Sequence, residues 1–530
     1  MSFNDRIAQG LESGWKVIDG ARLTENHTAE ADVVIVGTGA GGGTTAEILA
    51  KSGLSVILVE EGRLYYQKDF KMDELTSYAN LYQEGMSRTT KDGAIAILQG
   101  RCVGGSTTVN WTSSFRTPDA TLNYWVKQFG LEALSPQAMA PWFEGREARH
   151  SMSPWEMAPN LNNDILRQGC EKLGFSWQVI PRNVKGCWNL GYCGVGCPTN
   201  AKQGALMTTI PGALDNNATL YHGLRAERLV MKQDKIDTLQ ATAMASDGIT
   251  PTNITVTLKA KHFVVAASAI GSPGLLLRSK LPDPYERLGK RSFIHPVNAS
   301  VAHMPKLVDP FYGAPQSVYS DEFNFRNGVD GDAGYKLEVP PLHPAMSAGV
   351  VPGHGDEQAK NLAGLPWMQS VIALVRDGFH ENSTGGTVSL RDDGIPMLDY
   401  SVSDYLWKGL RNAFYTMAEI QFAAGAKKVR LMHLDSDWYS SWADAKAAID
   451  GFSMKPHRVR LFTAHQMGGC GMGSNPKESV VNGFGEHHQV NNLSVHDASI
   501  FPTSIGANPQ LSVYALAARN STRLAQRLKA

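Results

Sequence analysis

The chain has 530 residues, too many for one simple hydrophobic core, so two domains sharing an interface are expected. Its 50 basic and 50 acidic residues cancel, which removes any charge argument for nucleic acid or an anionic membrane as partner. Six cysteines (Cys102, Cys170, Cys187, Cys193, Cys197 and Cys470) are too few for a disulfide scaffold at this length and fit a reducing compartment. The first twenty residues lack both a basic segment leading into an apolar one and a twin-arginine pair, and the longest apolar run, residues 263–277, is broken by Ser, Gly and Pro. A cytoplasmic protein without a transmembrane segment is expected, reaching a membrane only through a redox partner.

Residues 1–30 read as a lead-in helix covering a sheet edge. Next comes ADVVIVGTGAGGGTTAEILAKSGLSVILVEEG, residues 31–62, with the pattern of a complete nucleotide-binding βαβ unit. Residues 33–36 form an apolar, β-branched strand of the kind buried on both faces of a parallel sheet. It runs into Gly37, Thr38, Gly39 and Gly42 at GxGxxG spacing, which allows a tight turn, close backbone approach to a pyrophosphate, and close packing of a helix predicted over 44–51. A second strand, 55–59, ends at Glu60, where a carboxylate can hold ribose hydroxyls. Glycines at this spacing alone make only a turn. Strand, helix, second strand and acid in register make a dinucleotide site.

The stretch GRCVGGSTTVNWTSSFR, residues 100–116, is not ordinary core. Gly104 and Gly105 leave room for a flat or charged group against the backbone, and Ser106, Thr107 and Asn110 offer hydrogen bonds; the bland reading is a glycine turn capping a helix. Residues 119–199 read as a cap carrying Cys187, Cys193 and Cys197 at C-x5-C-x3-C-P spacing. Three thiolates would serve a three-iron cluster, zinc would want a fourth ligand that is absent nearby, and a disulfide or buried thiols in a glycine-rich loop is the plainer reading. Residues 219–267 resemble a small antiparallel excursion returning to the parallel sheet, and Gly271, Ser272 and Pro273 mark a strand-to-helix junction.

From 296 to 459 the texture changes to alternating strands, at 387–390 and 399–402, and an amphipathic helix over 404–424. This is the expected substrate domain. Asp330 and Asp332 sit in a stretch that lacks the terminal acid of a calcium loop and reads as a solvated turn. The last seventy residues return to motif-like sequence: HQMGGCGMG from His465, a strand at 492–495 followed by Asp497 and Ala498, and Asn508-Pro509 opening a final helix. The FAD-binding domain would then comprise 1–118, 200–295 and 460–530.

Four stretches together resemble the glucose–methanol–choline oxidoreductases, flavoenzymes that oxidise alcohols with FAD. They are the βαβ unit ending in VEEG, GRCVGGSTTVN, SAIGSPGLLLRS, and the His465 and Asn508 pair with DAS and NPQLS. Details such as IALVRDG, AAGAKKV and CGVGCPTNAKQ are most similar to the branch of long-chain alcohol oxidases and bacterial FAD-dependent alcohol dehydrogenases. The resemblance implies an α/β, Rossmann-like FAD-binding domain with a discontinuous α+β substrate domain of antiparallel sheet plus helices. It implies FAD held by Gly37, Thr38, Gly39, Gly42, Glu60, Arg101, Gly104, Gly105, Ser106, Asn110, Asp497, Ala498, Asn508 and Pro509. It allows an iron–sulfur cluster at the three cysteines, as in some membrane-linked members. The sequence departs from the pattern in three places. Lys280 replaces a usual glycine, GGCGMG replaces GTCRMG, and Val109 stands where some members carry a histidine bonded to the flavin, so dissociable FAD is implied.

Oxidising an alcohol requires removal of the hydroxyl proton and stabilisation of alkoxide character as hydride leaves for flavin N5. His465, followed by a glycine-rich turn and matching the family's active-site histidine, is the expected base, and the Asn508 amide the expected donor to the substrate oxygen. His295, in FIHPV, reads equally as flavin-lining or packing; His487, His488 and His496 read as structural. The helix opening at Asn508 would point its positive end at the flavin and favour its reduced anion. The expected substrate is a primary, apolar or aromatic alcohol and the electron acceptor oxygen, a quinone or a redox protein. The rival readings are a hydroxynitrile-lyase-type enzyme on the same scaffold and a non-catalytic electron-transfer subunit.

Overall fold

Val33, Val34 and Ile35 are fully buried in the strand His27–Val36, as an apolar β-branched run demands. The computed structural model describes residues 5–530, and this strand lies at the heart of the first of its two eight-stranded sheets. Parallel neighbours extend it on one side through Val56–Glu60, Thr219–His222 and Lys16–Asp19. On the other side stands the long strand Pro251–Val265, also parallel to it. The start of that long strand pairs with an antiparallel meander, Lys235–Met244 and Leu224–Lys232, while its end pairs in parallel with Leu493–Val495. One strand thus carries both the predicted excursion and the return of the carboxyl-terminal segment to the parallel sheet.

The lead-in is the helix Arg6–Glu12, capped by Asp5, followed by the edge strand Lys16–Asp19; residues 1–4 of that reading lie outside the described residues. The helix after the first glycines is Ala40–Lys51, starting four residues before the predicted position. Gly41, Gly42 and Gly43 are inside it because the helix sits hard against its neighbours: a Cβ on Gly41 would lie 1.6 Å from His496 O, and one on Gly42 1.9 Å from Gly37 O.

The second sheet is antiparallel apart from one parallel pair, Ile95–Ile97 with Leu461–Thr463. Its centre is Val297–His303 beside Met368–Val375, followed by Tyr335–Glu338 and Val318–Ser320. Residues alternate across it with the period of two that a pleated strand imposes. Val371, Ala373 and Val375 face the helix Asp404–Ala423 through Leu410, Phe414 and Met417. Val297, Ile372 and Leu374 face the opposite way. The predicted strand at 399–402 is instead Pro396–Asp399, paired with Thr387–Leu390; Gly394, left-handed at φ 77°, and the Asp393 carboxylate accepting from Ile395 N–H close the hairpin earlier.

The helices of residues 119–199 pack on both bodies. Pro136–Arg149 lies on the final helix Gln510–Lys529, and Leu161–Leu173 on Asp404–Ala423. Arg149 also grips the buried Glu47 of the helix Ala40–Lys51. No described helix is long and apolar enough to cross a membrane.

Candidate active site

A cavity of about 730 Å³ is lined from both sheets. Among the predicted residues, Gly37, Thr38, Gly39, Glu60, Arg101, Gly105, Ser106, Asn110, His465, Asp497, Ala498, Asn508 and Pro509 all stand in its wall. Gly42 and Gly104 do not line it. Gly42 serves helix packing, and Gly104, at φ 91°, donates its N–H to Thr38 Oγ1 at 3.0 Å from behind the wall. No residue of 119–199 lines the cavity.

At one end Thr38 ties the two glycine-rich stretches to the acid. Its N–H and hydroxyl donate to Glu60 Oε2 at 3.1 and 2.6 Å, and Gly62 N–H donates to Oε1 at 3.0 Å. Burial raises the Glu60 pKa, and these three donors work against that rise. Arg101 binds Glu61 at 3.1 Å and the Gly248 carbonyl at 2.6 Å. In the middle, Gly39 and Gly105 face each other as bare backbone. A Cβ on Gly39 would meet nothing closer than Gly105 Cα at 4.0 Å, while one on Gly105 would crowd Gly39 Cα at 3.0 Å. Asp497 turns its carboxylate to Ser268 N–H, Ser499 N–H and the Ser272 hydroxyl, so it braces the junction by which it lines the cavity.

These features fit FAD. The amino end of Ala40–Lys51 suits a pyrophosphate, bare glycine backbone admits it closely, and a carboxylate with lone pairs to spare suits ribose hydroxyls. Val109, where a covalent link would need a nucleophile, is aliphatic and lines the cavity.

At the other end the strand Leu461–Thr463 delivers His465 beside Val297, which pairs with both Phe462 and Leu374. Val297, Ile372, Leu374, Phe462 and Trp111 make this part of the wall apolar. His465 is partly open, toward the cavity it lines, and burial lowers its pKa to about 4, so it is neutral near neutral pH. Its Nδ1 lies 3.0 Å from Nδ1 of the buried His295, with the rings nearly perpendicular. Nε2 is the nitrogen left for the cavity. Which ring carries the shared proton decides the chemistry. With hydrogen on His465 Nδ1, Nε2 is free to accept a proton; Gly506 N–H, 3.3 Å from His295 Nε2, favours the opposite arrangement.

Asn508 donates from Nδ2 to Glu338 Oε2 at 3.2 Å, and Gln316 donates to the same oxygen at 2.6 Å. Glu338 is fully buried and was not among the expected site residues. The signal for it was a charged pair, Lys336 and Glu338, in a strand whose every residue is buried. Asn110 donates to Gln510 Oε1 at 2.7 Å, tying the stretch 100–116 to the final helix.

The cysteine reading requires correction. Among the described residues no group of three or more His, Cys, Asp or Glu side chains is placed to hold a metal ion, against an iron–sulfur or zinc site at Cys187, Cys193 and Cys197. All three are free thiols with separate neighbours. Asn189 N–H donates to Cys187, Arg182 Nη2 lies 3.6 Å from Cys193 Sγ, and Cys197 pairs with the Thr199 hydroxyl. Their loop is organised around the buried Lys202, whose ammonium donates to the carbonyls of Thr108, Asn110 and Cys193.

Known proteins agree with this architecture. The family profile described as GMC oxidoreductase matches residues 78–297 in its amino-terminal part and 382–517 in its carboxyl-terminal part. A GMC-type oxidoreductase of Mycobacterium tuberculosis, Rv0492c, is 30% identical over 491 residues, covering 92% of this chain and 74% of that protein. Long-chain-alcohol oxidase FAO1 of Arabidopsis thaliana is 29% identical over 540 residues, covering 98% of this chain and 70% of that one. In fold the chain is similar to pyridoxine 4-oxidase from Mesorbium loti, with TM-score 0.67 at 17% identity over 93% of this chain and 98% of that one. Formate oxidase has TM-score 0.67 at 15% identity over 96% and 100%.

Proposed function

The chain belongs to the GMC oxidoreductase family, and from that premise we propose how its residues carry out FAD-dependent oxidation of an alcohol. FAD supplies the hydride acceptor, flavin N5. Glu60 and Thr38 would hold the ribose end, Gly39, Gly105 and the amino end of Ala40–Lys51 the pyrophosphate, and Asn508 and Pro509 the flavin end. In domain terms, 1–118, 200–295 and 460–530 would bind FAD, apart from Ile95–Ile97 and Leu461–Thr463, which join the second sheet with 296–459 to shape the substrate side, and 119–199 would brace the two.

The observation that carries the reading is that His465 and Glu60 line one continuous cavity. For His465 to act, its hydrogen must sit on Nδ1 when alcohol is bound, reversing the arrangement that the 3.3 Å Gly506 contact favours; the substrate hydroxyl then donates to Nε2, which takes the proton as the carbinol-carbon hydrogen leaves as hydride. The second Nδ2 hydrogen of Asn508 donates to the same oxygen and stabilises its developing negative charge. Apolar walls at Val297, Ile372, Leu374 and Phe462 exclude water and favour a primary alcohol with an apolar or aromatic body, a preference that likeness to long-chain-alcohol oxidases supports. Electrons then pass to oxygen, a quinone or a redox protein. Six free thiols suit a reducing, cytoplasmic setting.

Anaerobic bleaching of the flavin by a panel of alcohols tests this. Bleaching by apolar primary alcohols is expected, followed by reoxidation with one acceptor class. Cleavage of a hydroxynitrile with no bleaching by any alcohol would overturn it.

A further inference from the structure

Glu338 Oε1 and Asn508 Oδ1 are both buried without a hydrogen-bond partner, although their residues are already joined by the Nδ2–H to Oε2 bond. Each is an acceptor only, and leaving two such oxygens unsatisfied is costly. One proton placed between them satisfies both. We propose that Glu338 rests as the neutral acid in a two-point pair with Asn508, Oε1–H donating to Oδ1 while Nδ2–H donates to Oε2. Gln316, donating to Oε2, keeps that oxygen the acceptor and so puts the proton on Oε1.

The pair fixes the plane of the Asn508 amide and commits its second Nδ2 hydrogen to the cavity. Glu338 is therefore a positioning residue, and this inference rests on Asn508 donating to the substrate oxygen. Its surroundings agree. Burial pushes its pKa up to about 7, Lys336 and the Asn508 bond oppose the rise, and Asp321 adds to it. Lys336, on the same strand, is already committed to Asp321 at 2.8 Å and lies against the rings of Phe115 and Tyr319. Tyr319, opposite Glu338 on the neighbouring strand, gives its hydroxyl to Gln178. When Glu338 ionises, the Oε1–H to Oδ1 bond is lost, Oδ1 is left beside an anion, and the amide is held by the Nδ2–H to Oε2 bond alone.

Glu338→Gln tests this in the FAD-loaded enzyme, because a glutamine amide keeps both bonds to Asn508 without an ionisable proton. The parent should lose flavin-reduction rate as pH rises through about 7 and above. E338Q should keep the parent's low-pH rate and lose that decline, whereas Glu338→Leu should be slower than E338Q by roughly tenfold or more at every pH. A parent-minus-E338Q infrared difference spectrum should show a protonated-carboxyl stretch that disappears as pH rises. An unchanged alkaline decline in E338Q, or no carboxyl band in the difference spectrum, would overturn the proposal. If Asn508→Ala reduces flavin at the parent rate, the role of Asn508 itself fails instead.

Discussion

Nδ1 of His295 stands 3.0 Å from Nδ1 of His465, so the two rings share one proton and cannot both present a lone pair or both present a hydrogen. For His465 to act as base, that proton must sit on its own Nδ1. Nitrogen chemical shifts of histidine-labelled holoenzyme read this directly. The Gly506 N–H favours a pyridine-type Nδ1 and a pyrrole-type Nε2 for His465 at rest, so a base requires the reverse once an unreactive alcohol is bound; shifts unchanged by that alcohol would make His465 a donor to substrate.

Burial would also set the pH at which His465, the proposed base, fails. A protonated imidazole cannot accept the hydroxyl proton, and burial holds His465 neutral down to about pH 4. The folded value is depressed, so activity is present above it and lost as pH falls through it. Flavin reduction should therefore show no loss as pH falls from 6.5 to 5, measured anaerobically. A decline centred near the ordinary histidine value would show an exposed, unperturbed group in control.

Glu60→Ala removes an acceptor already aligned by Thr38 and Gly62. Each charge-assisted bond to a ribose hydroxyl is worth about 1.5–3 kcal/mol, so FAD affinity should fall at least tenfold. Fluorescence of released flavin on dilution measures it. Unchanged retention would move the ribose contact to the neighbouring Glu61.

Val109 offers no atom for a flavin bond, and the expected outcome of acid precipitation is free, intact FAD in the supernatant. Flavin fluorescence in the precipitated polypeptide would contradict it.

How legible the molecule is in its sequence follows from how local each relationship is. Gly37 to Glu60 is one continuous βαβ segment, so its strand, helix and acid were readable from spacing, and even there the helix began earlier because Gly41 and Gly42 touch neighbouring backbone. The partnership of Glu338 with Asn508 joins residues 170 positions apart through the second sheet, and no local pattern announces it. The cysteines misled for the converse reason. Cys187, Cys193 and Cys197 have ligand-like spacing, but the loop around Lys202 gives each thiol a different neighbour.

The central claim is that His465 removes the substrate proton while Asn508 holds the same oxygen. Anaerobic stopped-flow reduction of the flavin by an apolar primary alcohol isolates that step from reoxidation. His465→Ala should keep its fold and FAD yet reduce about 10²–10⁴-fold more slowly. Asn508→Ala should fall by a smaller factor, with the double variant less than additive because both act on one oxygen. His465→Ala bleaching at the parent rate, with His295→Ala slowed instead, would contradict the account.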